Sequence, residues 1–308
     1  MPYRMIVLVK QVPDTQNITA QAMKDDGTVN RAALPAIVNP EDLNALEMAL
    51  GVRDHHGGHV TVLSMGPPSA AEVMREALMR GADRAALLSD RAFAVADTLA
   101  TAYALACAIR TVGDYDLVFA GRQAIDGDTA QIGPQVAGAL GIAQVTYVAE
   151  LLALEEGRLR ARRLIEGGNE LVEARLPALL TVVGEANEPR PRRAKLMMRF
   201  KHARTPLEVR EAAAQELDPE KGKPDPQRLE ERCAPRLAEL DRRGLLVPVF
   251  APADIGADPQ QCGAKGSPTK VKNIESVVLT ATEHKRVEPT PEAIADMVQG
   301  LVEDHVLD

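Results

Sequence analysis

Short, uninterrupted apolar runs, separated by stretches with the period of a helix, constrain this 308-residue chain more than any other feature. Residues 5–9 read MIVLV, residues 59–65 HVTVLSM, residues 85–88 AALL and residues 117–120 LVFA. A strand without a polar face belongs in a sheet covered on both sides. Between these runs, residues 40–50 put Leu43, Leu46, Ala49 and Leu50 on one helical face, and Pro40 suits a first turn. Residues 69–80 open on Ser69 with Glu72 three positions on, the pattern of a capping box. Residues 98–110 are rich in Ala and Leu, and Asp97 is placed to cap them. Alternation at this spacing predicts an α/β fold with a doubly wound parallel sheet.

The pattern changes after residue 140. Short strands are expected at 151–154, 158–165, 170–175 and 178–183, divided by EEG and EGGN turns. That reads as an antiparallel, meander-like extension of the sheet. From 185 to 228 the chain is rich in Pro, Arg and Lys, and periodicity fades. A helix is expected over 229–243, followed by the apolar LLVPVF, a Gly/Pro/Gln-rich loop at 251–269 and a last helix over 291–302. This tail has too few apolar residues for a core of its own, so it should pack on the main domain or on a partner.

Composition narrows the function classes. A net charge of −8 argues against nucleic-acid binding, which needs a basic surface. With four Phe, four Tyr and no Trp, base stacking is an equally poor fit. Cys107, Cys233 and Cys262 are too scattered for a disulfide framework or a metal cluster, and Cys107 reads as helix packing. His55, His56 and His59 fall in what reads as a solvated Gly-rich turn, on the entry side of a strand. No secretory leader and no membrane-length apolar run is evident, which predicts a soluble cytoplasmic protein.

Ligands of open α/β sheets bind beyond the carboxyl ends of the strands. The loops there read KQVPDT, SMGPP, SDRAFAVADT and GRQAIDGDTAQIGP. In the last, Asp128 followed by Gln131 resembles a capping box and predicts a helix starting at Thr129. The free N–H groups at such a helix end favour a phosphate. Gly121, Gly127 and Gly133 allow close approach of the backbone, and Arg122 is the cation best placed to meet the ligand. Asp126 and Asp128 would repel a phosphate, so they are expected to cap helices or bond ribose hydroxyls. An ordinary polar loop is the competing reading, but the clustering of such loops at one sheet edge favours a nucleotide site. One basic run, residues 190–204 from Arg190 to Arg204, holds seven Arg/Lys and no acid. Leu196, Met197, Met198 and Phe200 interleave with the cations, which suggests a docking surface for an acidic partner.

Together these residues resemble the beta subunit of electron transfer flavoproteins. ARRLIEGGNELVEARLPALLT at 161–181 matches that family's signature. VKQVPDT, NPED at 39–42, MGPP at 65–68, GADR at 81–84, GRQAIDGDTAQIGP and NEPR at 187–190 add to the likeness. The resemblance implies a Rossmann-like domain of the adenine nucleotide alpha hydrolase-like type over residues 1–190. It also implies a recognition loop and an extended C-terminal arm over 191–308, which packs on an alpha subunit.

In the family, beta holds AMP in simple electron shuttles that feed a quinone oxidoreductase. In electron-bifurcating members it holds a second FAD, which takes electrons from NADH and passes them toward an acyl-CoA dehydrogenase-type partner. DRAFAVADTLATAYAL at 90–105 and DGDTAQIGP at 126–134 are similar to the bifurcating group. Carried over by motif, the nucleotide contacts are Val9, Asn39, Asp42, Met65, Gly121, Arg122, Gln123, Asp126, Gly127, Asp128, Thr129, Ala130, Gln131, Gly133 and Pro134. The isoalloxazine end would add Ala96, Asp97, Thr98 and Thr101. The basic run corresponds to the family's docking loop, with Ala194 where Leu is common. A segment at 210–262 reads as longer than in most members. A non-redox nucleotide-binding module is the rival of another class.

Overall fold

A computed structural model describes residues 2–14, 34–218, 224–269 and 286–303. The chain begins with β1 (Tyr3–Leu8), then a two-stranded antiparallel ribbon of β2 (Gln11–Pro13) and β3 (Ala36–Val38). There follow α1 (Pro40–His56), β4 (Gly58–Met65), α2 (Ala71–Arg80), β5 (Arg84–Leu88), α3 (Thr98–Val112), β6 (Leu117–Gly121) and α4 (Ile132–Leu140). Then come β7 (Ala143–Glu155), β8 (Arg158–Ile165), β9 (Gly168–Arg175) and β10 (Ala178–Val182). The tail adds α5 (Ala194–Phe200), α6 (Pro206–Leu217), α7 (Pro226–Arg242), β11 (Val249–Phe250), the single turn α8 (Gly263–Gly266) and α9 (Pro291–Glu303).

Nine strands form one sheet in the order β11-β5-β4-β1-β6-β10-β7-β8-β9. Pairing is parallel from β11 through β7 and antiparallel for β7–β8 and β8–β9. Alternate residues of β1 enter different cores. Met5 and Val7 face α1 and α2 residues such as Leu46, Leu50 and Met74, whereas Ile6 and Leu8 pack with Leu105 and Ile109 of α3 and Val136 of α4. Covering both faces is what the unbroken apolar runs require, and the doubly wound α/β architecture follows.

Several local expectations are corrected. The strand at 178–182 is not part of the meander: β10 inserts between β6 and β7, parallel to both. Its five buried residues match that central position. The Ser69/Glu72 box does not form. Ser69 lies in a 3-10 turn and its hydroxyl donates to Gln11 Oε1 (3.0 Å), while Glu72 pairs with Arg75 (2.7 Å), so α2 starts at Ala71. His55 and His56 belong to the last turn of α1 and His59 to β4, rather than to a turn. In the region without clear periodicity, α6 forms behind a full capping box of Thr205 and Glu208. The helix expected from 229 begins at Pro226, capped by Asp225.

The tail packs in part on the main domain. Phe250 pairs with Leu88 at the sheet edge, and Ile255, Ala257 and Cys262 join the core that contains Cys107 and Leu105. The hairpin of α6 and α7 buries only Val209, Ala213 and Cys233 between its helices. No described helix is long and apolar enough to cross a membrane.

Candidate functional site

A cleft of about 890 Å³ opens at the carboxyl ends of β1, β4, β5 and β6. Position follows from topology: the loops after parallel strands converge at one sheet edge. Its floor is braced by Asp42. One carboxylate oxygen accepts the Lys10 N–H at 2.8 Å and the other the Gly121 N–H at 3.0 Å, which ties the ends of β1 and β6 to the first turn of α1. Burial pushes the Asp42 carboxyl up to about 7, against the pull of the Asn39 side chain and these two N–H groups. A Cβ on Gly121 would lie 2.4 Å from Asp42 Oδ1, so glycine is required for this approach.

The loop after β6 forms one wall. Asn39 is fully buried and holds that loop from behind, donating to Gln123 O (2.8 Å) and accepting from Ile125 N (3.1 Å). Asp128 accepts from the Gln123 amide at 3.0 Å and sits at φ 47°, so it caps no helix. The following helix therefore starts at Ile132 instead of Thr129. Gln131, at its N-cap, makes no capping bond and instead accepts from Thr98 Oγ1 (2.9 Å). The start of α4 thus has no side-chain cap, and its first residue, Ile132, lines the cleft; free N–H groups at a helix start favour an anionic group.

Arg122, the cation expected to meet the ligand, is already paired, and so is Lys10 beside it. Arg122 meets Glu41 at 2.9 Å and lies over the Tyr147 ring, while Lys10 meets Asp126 at 2.6 Å. Asp126 thus neutralises a lysine rather than capping a helix. Arg91, exposed on the opposite wall, has no acidic partner among the described residues. That wall is the loop after β5, where Asp97 caps α3 through Ala100 N (3.0 Å). Burial raises the Asp97 carboxyl, but the N–H groups of Ala100 and Thr269 outweigh it and hold the group below the ordinary carboxylate value.

Val9, Asp42, Met65, Ala96, Asp97, Thr98 and Thr101 all line the cleft. From the loop after β6 so do Gly121, Arg122, Gln123, Gly127, Asp128, Thr129, Ala130 and Gln131. Asn39, Asp126, Gly133 and Pro134 stand outside the lining. Gly133 instead seats α4 on β10, where a Cβ would lie 2.4 Å from Thr181 Cγ2. Lining residues not singled out from sequence include Lys10, Asp90, Arg91, Val95 and Leu207. Leu207 comes from α6, and the Thr205–Glu208 spacing was the signal for that helix. Val95, Asp128 and Ala130 all have left-handed backbone (φ 58°, 47° and 52°) and all line the cleft. Non-glycine strain of this kind persists where surroundings over-determine it, and it concentrates at ligand sites.

The basic run is less free than its composition suggests. Arg190 is bound to Glu47 (2.7 and 2.8 Å) and Asp54 (2.8 Å), and its guanidinium pKa is raised by the Glu47 bond against desolvation. Arg204 donates to the carbonyls of Lys201 and Ala203. Met197 and Met198 remain exposed on α5, and Phe200 is buried.

Fold and cleft define an α/β protein with a candidate ligand site at the carboxyl edge of a parallel sheet. The electron transfer flavoprotein domain matches residues 26–218. The beta subunit of the electron transfer flavoprotein of Clostridium acetobutylicum is 40% identical over 303 residues, spanning 98% of this chain and 99% of that protein. Protein FixA of Azorhizobium caulinodans is 40% identical over 299 residues, 95% of this chain and 91% of its own. The caffeyl-CoA reductase-Etf complex subunit CarD of Acetobacterium woodii is 50% identical over 188 residues, 61% of this chain and 71% of that one. This chain belongs to the electron transfer flavoprotein beta subunit/FixA family and serves in electron transfer. The clostridial match extends through 210–262, so that segment has a counterpart there.

Proposed function

We propose that the cleft holds FAD, and that this chain works with an electron transfer flavoprotein alpha subunit in electron bifurcation from NADH. The observation that carries this reading is the size and continuity of the cleft. At about 890 Å³ it is near the upper end for small-molecule sites, roughly 300–1,000 Å³. AMP, with fewer than half the heavy atoms of FAD, would leave the far wall uncovered. A diphosphate at the α4 N-terminus would leave room for a ring system along Ala96, Thr98 and Thr101. When bound, FAD supplies the capacity to take two electrons together and release them singly.

The chain's residues bind and orient. Asp42 and Asn39 fix the backbone that faces the nucleotide, the uncapped α4 end receives phosphate, and Met65, Phe93 and Leu105 exclude water from the far half. Domain roles follow the same reading: residues 1–190 bind nucleotide, and 191–308 supply docking loop and arm. None of the described side chains of α9 is buried, which suits a helix that packs on the alpha subunit. The Acetobacterium relative, named as part of a caffeyl-CoA reductase-Etf complex, favours an acyl-CoA dehydrogenase-type partner docking at residues 190–204.

Co-purification with the alpha subunit and a count of bound flavin tests the proposal. Two FAD per heterodimer, with the beta flavin reduced by NADH, is the expected result. One FAD plus one AMP would establish the simple shuttle instead.

A further inference from the structure

The loop that forms the far wall of the cleft is poorly supported by its own neighbours in sequence. Residues 89–97 contain one 3-10 turn capped by Asp90 (Ala92 N–H to Oδ1, 2.7 Å) and one core side chain, Phe93. Val95, four-fifths exposed at the cleft, has a left-handed conformation that a β-branched residue disfavours. Something else must hold this wall in place.

That support comes from about 170 residues further along the chain. The segment 262–269 lies flush on the loop: Ala264 N–H donates to Ala94 O (3.0 Å). A Cβ on Gly263 would lie 2.2 Å from Ala92 O, and Gly263 has φ +54°, so only glycine fits. Ser267 is a buried polar residue with both functions of its hydroxyl committed. Its Oγ accepts the Asp97 N–H at 2.8 Å and donates to Gly263 O at 2.7 Å. Thr269 N–H adds a bond to the Asp97 carboxylate at 3.1 Å. Asp97 is thereby fixed at backbone and side chain, and Thr98, the next residue, bonds Gln131 across the cleft. Cys262 and Ile255 anchor the segment in the core beside Phe93.

We infer that Ser267 is a positioning and specificity-determining residue: through Asp97 it sets the wall that lets the site take a flavin dinucleotide rather than only a mononucleotide. The reasoning is geometric. The end of the cleft at the loop after β6 and α4 is built by Asp42, Asn39 and that loop, none of which hydrogen-bonds Ser267. The far half is bounded by residues 94–98, whose course depends on it. Losing the hydroxyl leaves the partly buried Asp97 N–H unpaired and frees the Val95–Asp97 turn to relax from its strained form. The inference rests on the FAD reading for its ligand but not for its hydrogen bonds.

Both parts are tested on the full chain freed of nucleotide, comparing wild type, Ser267→Ala and Ser267→Thr. Amide hydrogen exchange reads the wall itself. The Asp97 amide should exchange slowly in wild type although it lies in a loop, quickly in Ser267→Ala, and slowly again in Ser267→Thr. FAD affinity should fall roughly three- to tenfold in Ser267→Ala, the effect of one partly buried neutral hydrogen bond, and recover in Ser267→Thr. AMP affinity should be the same in all three. A fast-exchanging Asp97 amide in wild type overturns the inference even if Ser267→Ala does not fold. Equal weakening of FAD and AMP overturns it too, because it shows a general structural role. Wild type that binds AMP but no FAD refutes the flavin reading alone, and the exchange pattern then still decides whether Ser267 holds the wall.

Discussion

Replacing Asp42 with Asn should expose how the floor of the cleft is built. The carboxylate accepts two backbone N–H groups, one on each oxygen, at 2.8 and 3.0 Å. An amide has one acceptor oxygen, so either flip leaves an N–H of Lys10 or Gly121 facing an NH2 donor. A buried unpaired donor costs about 1–3 kcal/mol. At roughly 2–4 °C per kcal/mol, the figure for domains of about 150–250 residues, the thermal midpoint should drop by about 2–12 °C.

The pH dependence is more diagnostic. Burial raises the folded Asp42 carboxyl to about 7, against about 3.9 in the unfolded chain. Between these values the folded state binds more protons, so this group's contribution to stability is full below about pH 4 and declines as pH rises to about 7. Asn does not titrate. The stability gap between wild type and variant should therefore shrink, by on the order of 2 kcal/mol, from pH 5 to pH 8. Calorimetry or urea unfolding of both proteins across that range measures it. A gap that stays constant or widens with pH would refute the assignment of a proton to buried Asp42.

Two further changes probe other joints of the site. Gly133→Ala should cost about 1–3 kcal/mol by overpacking α4 on β10, and Thr181→Ser in the same chain should recover much of that loss by removing the opposed methyl; a strictly additive double mutant in urea unfolding would contradict the contact. Arg190→Ala should destabilise by about 2 kcal/mol through loss of the bonds to Glu47 and Asp54. Burial raises the Asp54 carboxyl, but Arg190 and Arg53 outweigh it and hold it below the usual range, so its contribution is present above about pH 4 and lost as pH falls. The variant's acid-unfolding limb should accordingly be shallower than that of wild type.

Much of the architecture is already written in local pattern. The unbroken run at β1 demands two covered faces, and Asp97 caps α3 as its spacing predicts. The loops that line the cleft follow from the rule that strand carboxyl ends carry the site, and Gly121, Arg122 and Gly127 could be read there; Val9 and Met65 followed from the resemblance to the electron transfer flavoprotein beta subunit. What failed was whatever depended on which of several partners a polar side chain takes, whether nearby or distant. Asp128 and Gln131 have the spacing of a cap, but Gln123 and Thr98 claim their side chains first. Arg122 and Arg190 read as free cations because Glu41 and Glu47 lie 81 and 143 residues away.

The placement of β10 shows the division most clearly. Its composition announces a buried strand, and local periodicity cannot say which neighbours it pairs with. Only the assembled sheet, with a gap between β6 and β7 at the right spacing, makes it a central parallel strand. Ser267 is of the same kind: a hydroxyl in a Gly/Pro-rich tail until folding sets it against Asp97. Sequence by itself determined the strand–helix alternation of the first 140 residues and which edge carries the site, because period and turn chemistry are local. Tertiary structure decided how the charges pair and what holds the far wall, because those energies exist only between residues that folding brings together.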